Sequence, residues 1–283
     1  MYRVLSKRSL NSFVTEMVFD APDIASSANA GQFIILRVDE NGERVPFTIA
    51  DYDRDKGTIT IMYQIIGGTT EKLNQVKEGE YIKDLVGPLG RATETEGLKK
   101  VAVIGGGVGC AIAYPVAKKL HSQGTTVHVI AGFRSKDLVI LEEELSKISD
   151  KLIIMTDDGS HGKKGLVTNA LEELILGGEE YDQVFAIGPL IMMKFVSMLT
   201  KKYNIKTIVS MNSIMIDGTG MCGGCRLKVG GETKFACVDG PEFDGHQVDF
   251  DGAMKNSSKY KESEKKNHEQ TCRLHNLADK QGK

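Results

Sequence analysis

Three cysteines and an aspartate, Cys222, Cys225, Cys237 and Asp217, stand close together in two glycine-rich stretches, IDGTGMCGGCR and FACVDGPEFDGHQVDFD. Thiolates are soft donors that select iron–sulfur clusters or zinc. The run Asp217-x4-Cys222-x2-Cys225 has the spacing of the plant-type [2Fe–2S] loop, with a carboxylate where that loop carries its first cysteine. Carboxylates ligate metals, so Asp217 is expected to fill the fourth corner. Small residues at Gly218, Gly220, Gly223 and Gly224 would leave backbone N–H groups free to point at cluster sulfides. Two other readings remain open on these residues alone: a Cys3Asp zinc site, and unliganded buried cysteines with Asp217 in a turn. Five cysteines, an odd number with three of them bunched, do not suit a disulfide framework. In a reducing compartment such a bunch binds metal or does redox chemistry.

A second chemistry-bearing stretch is VAVIGGGVGC, where Gly105, Gly106, Gly107 and Gly109 follow an apolar run and precede a helix-like segment. Glycines there allow close approach to a phosphate, and the helix N-terminus supplies free amides and a favourable dipole. A dinucleotide pyrophosphate suits such a loop. The match departs from G-x-G-x-x-G, because Cys110 stands at the third glycine and no acidic residue closes the second strand. Arg134 and Ser135, after that second strand, are placed to reach an adenosine ribose or its phosphate, or else are solvated loop residues. Cys110 reads as a small packing residue, and Met192 and Met193 as core filler. His161 falls on a surface loop, and the pair Cys272 and His275 is an accidental spacing in a polar tail.

A third pair of stretches, ERVPFTIAD (43–51) and MYQIIGGTTEKL (62–73), draws attention together. Gly67, Gly68, Thr69 and Thr70 form either a second phosphate cradle at a helix start or an ordinary turn with an N-capped helix.

The elements that must position these residues follow from periodicity. Up to about residue 97 the chain is rich in β-branched and aromatic residues broken by turn signals. TITIMYQII alternates Ile59, Ile61, Tyr63 and Ile65 with mostly polar neighbours, and QFIILRVD and EYIKDLVGP read as further strands. An antiparallel β-barrel or sandwich is expected. From residue 98 to 210 apolar runs at 101–104, 126–131, 152–156, 183–188 and 206–209 alternate with helix-like segments, including 109–120, 166–176 and 190–202. That is the pattern of βαβ units around a parallel sheet. Residues 211–250 fit neither pattern and need something to organise them. Residues 251–283 read as a polar tail, or as a helix that docks on a partner.

The fold class expected is thus α/β plus all-β: a β-barrel, a parallel-sheet domain and a small cysteine-bearing loop segment. Basic and acidic side chains nearly cancel, 36 against 38, which excludes a general nucleic-acid binder or a polybasic membrane surface. No run approaches the roughly 18–20 apolar residues of a membrane span, and MYRVLSKRSLN lacks the apolar core of a secretory signal. A cytoplasmic location is expected.

Taken in order, a β-rich domain, a nucleotide domain and the Asp217-x4-Cys222-x2-Cys225 loop resemble the ferredoxin reductase superfamily, in its dihydroorotate dehydrogenase electron-transfer branch. Within that branch they are most similar to the small subunits of NADH-dependent reduced ferredoxin:NADP oxidoreductases, also known as sulfide dehydrogenase subunits, which use aspartate as a cluster ligand. The resemblance covers roughly residues 1–250 and implies FAD in 1–97, NAD(H) in 98–210 and a [2Fe–2S] cluster in 211–250. It places Val45, Pro46, Phe47 and Thr48 against the flavin, joined by Met62, Tyr63 and Gln64, with Gly68 and Thr69 at the FAD phosphates. The arginine usual beside that proline is replaced by Val45, with Arg44 one position earlier, and the proline usual after the nucleotide loop by Ile112. The resemblance implies hydride exchange between NAD(H) and FAD and one-electron transfer through the cluster. The partner it implies is a larger flavin and iron–sulfur subunit that handles ferredoxin and NADP by electron bifurcation. The dihydroorotate dehydrogenase subunits themselves normally supply four cysteines, which Asp217 argues against. A zinc-stapled nucleotide-binding module is the non-enzyme alternative.

Overall fold

The structure, a computed structural model, describes residues 1–258. Eight strands, β1 (Tyr2–Ser9), β2 (Val14–Asp20), β3 (Phe33–Arg37), β4 (Val45–Thr48), β5 (Asp51–Asp53), β6 (Thr58–Gln64), β7 (Tyr81–Ile82) and β8 (Asp84–Leu89), build the first part of the chain. They form two antiparallel sheets, ordered β5-β6-β2-β1-β7 and β4-β3-β8, around one core. Alternation places the side chains: Ile59, Ile61 and Tyr63 of β6 point inward with Met17, Phe19, Ile34 and Leu36, while Met62 and Gln64 face away. Helix α1 (Pro22–Ser27) adds Ile24 and Ala25 to this core, and α2 (Gly68–Gln75) adds Leu73. The stretch EYIKDLVGP, expected as one strand, is two. At Lys83, whose amide donates to the Val38 carbonyl over 2.9 Å, the chain passes from one sheet to the other.

Six further strands, β9 (Lys100–Gly106), β10 (Thr126–Phe133), β11 (Lys151–Thr156), β12 (Lys163–Lys164), β13 (Gln183–Ile187) and β14 (Thr207–Ser210), lie parallel in the order β12-β11-β10-β9-β13-β14. Helices α3 (Gly109–Ser122), α4 (Glu142–Lys147), α5 (Val167–Leu176) and α6 (Leu190–Lys202) join them. Strand β9 is apolar on both faces, as a covered parallel strand must be. Its Val101 and Val103 pack with Val116, Ala117 and Leu120 of α3, and its Ala102 and Ile104 with Leu171 of α5 and Met193 of α6. The strand order reverses between β9 and β13. The crevice beyond their carboxyl ends is where open α/β sheets bind ligands.

Residues 211–250 have more structure than their sequence pattern shows. A hairpin of β15 (Arg226–Val229) and β16 (Glu232–Phe235) is followed by β17 (Glu242–Asp244), which pairs antiparallel with β14 and becomes the seventh strand of the nucleotide sheet. Cys225, Leu227, Ala236 and Cys237 belong to the same hydrophobic core as Ala102 and Ile104. The segment is therefore fastened to the parallel-sheet domain. Helix α7 (Phe250–Ser258) replaces the start of the expected tail: Phe250 is buried and Asp251 meets Lys194 of α6 at 2.7 Å. Cys272 and His275 lie outside the described residues.

Candidate functional site

Asp217 sits at the start of the cysteine loop and is held by the loop itself. Its carboxylate accepts the amides of Thr219 at 2.8 Å and Cys222 at 2.6 Å. The Thr219 amide first, then Cys222, holds its carboxyl below the usual carboxylate range. Cys225 and Cys237 are buried with their sulfurs 3.2 Å apart, and burial pushes the Cys237 thiol up to about 12, an effect that a bound metal ion would reverse. Cys222 is exposed, its sulfur accepting the Gly224 amide at 3.5 Å. The donors thus fall into two pairs, Asp217 with the Cys222 backbone within the loop and Cys225 with Cys237 across the β15–β16 hairpin. Among the described residues no group of three or more His, Cys, Asp or Glu converges on a single point as one metal ion requires. Three thiolates and a carboxylate at this spacing are a donor set that fits a [2Fe–2S] cluster, which Asp217, Cys222, Cys225 and Cys237 would hold.

The loop rests on the barrel. Gly218 has φ +76, and a Cβ there would come within 2.6 Å of Leu89 and 3.0 Å of Ile35, so only glycine lets the loop lie flat on β3 and β8. From the other side Arg44 Nε donates to the Ile216 carbonyl at 2.9 Å. Arg44 immediately precedes β4, whose Val45, Pro46, Phe47 and Thr48 are all half-buried and so offer an accessible strand. Next to it the Thr69 hydroxyl donates to Glu43 at 3.1 Å, tying the start of α2 to the same strand. At that start Thr70 Oγ1 accepts the Ile66 and Gly67 amides, as a capped helix would. The amides of Gly68 and Thr69 have no partner within the helix, and nothing lies within 4 Å of where a Gly68 Cβ would stand. This open end fits a phosphate of FAD.

Met62, Tyr63 and Gln64 do not share a face. Met62 packs toward the nucleotide domain, Gln64 is exposed, and Tyr63 is buried in the barrel with its ring edge-on to Phe47 at 5.8 Å. No hydrogen bond of ordinary geometry reaches the Tyr63 hydroxyl among the described residues; burial raises its pKa, and the nearby Thr15 side chain offsets only part of that.

In the nucleotide domain the four loop glycines have different duties. A Cβ on Gly105 would meet Cys110 at 2.7 Å, one on Gly106 would meet Met192 at 2.5 Å, and one on Gly109 would meet the Ile187 carbonyl oxygen at 2.4 Å. Those three serve packing. Gly107 differs: φ is +56, its amide donates to the Gly132 carbonyl at 2.8 Å, and nothing lies within 4 Å of where its Cβ would stand. Its open face, at the N-terminus of α3, fits a pyrophosphate, although the Cys110 and Ala111 amides there already donate to the Gly107 and Val108 carbonyls at 3.1 and 3.0 Å. Arg134 is exposed at the carboxyl end of β10 with no side-chain partner among the described residues, and Ser135 is half-buried beside it.

Sequence reasoning missed Gly188, Pro189 and Met192, which form the opposite wall of this loop. Met193 is core as expected, and Met192 instead lies against Gly106. The signal was present, since a Gly-Pro at a strand end opposite a glycine loop marks a close approach. Cys110 is buried and its thiol pushed up to about 12, consistent with packing. His161 is on the loop after β11, with Nε2 2.9 Å from Glu142.

Comparison with known proteins agrees with these regions. The iron–sulfur cluster binding domain of dihydroorotate dehydrogenase B matches residues 212–249, and the oxidoreductase NAD-binding domain matches residues 103–198. A Thermotoga maritima homolog of the dihydroorotate dehydrogenase B (NAD(+)) electron transfer subunit is 44% identical over 260 residues, covering 90% of this chain and 92% of its own. The electron transfer subunit from Caldanaerobacter subterraneus subsp. tengcongensis is 35% identical over 255 residues, covering 88% and 97%. A structure of an NADH-dependent reduced ferredoxin–NADP oxidoreductase, described for flavin-based electron bifurcation, superposes with a TM-score of 0.91 at 41% identity over 96% of this chain and 98% of the other. Barrel, parallel sheet and cysteine loop are therefore those of a flavoprotein oxidoreductase subunit, and the chain belongs to the family of dihydroorotate dehydrogenase B electron-transfer subunits.

Proposed function

We propose that this chain exchanges hydride between NAD(H) and FAD and passes single electrons through a [2Fe–2S] cluster to a larger subunit. The assembly is an electron-bifurcating NADH-dependent ferredoxin:NADP oxidoreductase. The observation that carries the reading is the seating of the Asp217 loop on the barrel beside the strand assigned to flavin, through Arg44, next to β4, to Ile216 and through Gly218 on Leu89 of β8 and Ile35 of β3. That contact brings a two-electron site and a one-electron site together on one surface.

FAD and the cluster, when bound, supply the conversion of a hydride into single electrons. The chain's own residues position and shield. We assign FAD to residues 1–97: Val45, Pro46, Phe47 and Thr48 line the ring, Tyr63 backs Phe47 from the core, and Gly68 and Thr69 hold phosphate. Residues 98–210 take NAD(H), with Gly107 and the start of α3 at the pyrophosphate and Arg134 and Ser135 at the adenosine ribose. Asp217, Cys222, Cys225 and Cys237 hold the cluster in residues 211–250. No general acid or base is required of the protein.

The partner contributes a second flavin and the further clusters, and through it ferredoxin and NADP are reached. None of the described helices is long and apolar enough to cross a membrane. We place the complex in the cytoplasm, where free thiols persist. Asp217 favours this assembly over dihydroorotate oxidation, whose subunits resemble it with four cysteines.

The test is anaerobic isolation of the native complex followed by visible spectra and cofactor analysis. Flavin and [2Fe–2S] absorption, with FAD and two irons per chain and copurification of a larger flavoprotein, is the expected result. A folded, colourless, zinc-containing protein would overturn it.

A further inference from the structure

Arg44 stands one position before Val45, the residue that replaces the arginine usual beside Pro46, and its side chain reaches away from β4 toward the cysteine loop. Its Nε donates to the Ile216 carbonyl at 2.9 Å, across 172 positions of sequence. We propose that Arg44 is the positioning residue of the cluster's carboxylate corner, and that its guanidinium charge favours the reduced cluster.

The backbone geometry supports this. Strand β4 is fixed by its register with β3, from Phe33 opposite Thr48 to Leu36 opposite Val45, so the residue before Val45 has a set place. The carbonyl that Arg44 holds belongs to the peptide joining Ile216 to Asp217. Fixing that peptide plane constrains the direction in which the Asp217 side chain leaves the backbone. One residue further on, Gly218 is seated on Leu89 and Ile35. Asp217 is thus pinned on both sides by the flavin-bearing barrel, and its carboxylate is oriented within the loop by Thr219 and Cys222. Neighbouring Glu43 is used by Thr69 at the start of α2, so one dipeptide links the flavin-phosphate end and the cluster end. A cation beside a cluster stabilises its reduced form, which carries one more negative charge.

The inference rests on the cluster assignment above. Its test compares Arg44→Gln and Arg44→Lys with the wild-type complex, isolated anaerobically. The readings are FAD content, iron content, the electron paramagnetic resonance signature of the reduced cluster and its midpoint potential. In R44Q, FAD stays at the wild-type ratio, the resonance signature changes, and the one-electron reduction equilibrium falls about tenfold, a potential lower by about 59 mV. R44K, which keeps the charge and a donor, recovers the equilibrium to within about threefold of wild type. Loss of iron from R44Q but not from R44K also supports the assignment. The proposal is overturned by an R44Q complex that loses FAD with its cluster unaltered, by one that matches wild type in every reading, or by loss of iron from both variants. Absence of iron from the wild type would instead refute the cluster assignment itself.

Discussion

Gly107 offers a direct test of the nucleotide loop, and Gly124 supplies its control. Both are left-handed, with φ +56 and +83, and neither has an atom within 4 Å of where a Cβ would stand. An alanine at either position therefore costs stability only through its backbone, about 1–2 kcal/mol. For a protein of this size that is a fall in melting temperature of about 2–3 °C, and the two variants should fall alike. They differ in what faces the new methyl. Gly107 is at the ligand end of α3, whereas Gly124 follows the other end of the same 14-residue helix. At Gly107 the methyl would stand where the proposed pyrophosphate approaches the backbone. Gly107→Ala should weaken NADH by at least about tenfold, or about 1.4 kcal/mol. Gly124→Ala should leave affinity within about twofold. Titrating NADH against bleaching of the flavin band, alongside thermal unfolding, measures both quantities. Equal affinities in two equally destabilised variants would show that this loop does not receive the pyrophosphate.

The other predictions concern the remaining sites. Asp217→Ala should lose iron while keeping FAD, and Asp217→Cys should retain a cluster with an altered spectrum; unchanged iron in a folded D217A protein would refute the ligand assignment. Tyr63→Phe removes a buried hydroxyl that no hydrogen bond of ordinary geometry reaches and keeps the ring against Phe47, so stability should hold or rise by about 1 kcal/mol. Loss of FAD from Y63F would make that hydroxyl a cofactor contact. Burial pushes the Glu242 carboxyl up to about 7, with the Thr93 hydroxyl at 2.8 Å only partly offsetting it. Its folded pKa thus lies above the unfolded value of about 4.3. The folded state holds the proton more tightly, so this contribution is complete below about pH 4 and is lost as pH rises through about 7. Glu242→Gln should therefore raise the melting temperature at pH 8 relative to wild type by more than it does at pH 5; a pH-independent difference would contradict the burial argument.

What could be read from sequence was what depends on neighbours along the chain. The alternation of Ile59, Ile61 and Tyr63, the apolar runs of the parallel strands and the spacing of Cys222 and Cys225 are local signals, and each reappears as an element or a loop in place. The split of EYIKDLVGP at Lys83 was hidden because both halves have strand character, and only closure of two sheets around one core separates them. Strand β17 was hidden for a different reason. Three residues, Glu242 to Asp244, carry too little periodicity to be seen, and their pairing with β14 is set by the apolar packing of Phe243 and the preceding cysteine segment.

The same limit explains why the cluster loop could be recognised but not its support. A carboxylate in a thiolate's place is visible as a letter in a spaced motif, whereas its two anchors are contacts between distant stretches. Ile216 takes its hydrogen bond from Arg44, and Gly218 takes its seat from Ile35 and Leu89. Neither stretch has a pattern that names the other. The consequence is physical: a carboxylate is a harder ligand than the thiolate usual at such a site, so Asp217, if it holds the cluster as proposed, gains from having its backbone held in place. Arg44 and Gly218 provide that hold from the barrel, so the distance between the proposed flavin and cluster sites would be set by the barrel strands β3, β4 and β8 and by the loop they seat. Removing the Arg44 hydrogen bond should therefore alter cluster properties before it alters nucleotide binding, because Arg44 reaches Ile216 whereas Gly107 is held by the Gly132 carbonyl; Ile35 and Leu89, by contrast, share a core with Ala102 and Ile104 of β9, so substitutions there should disturb both.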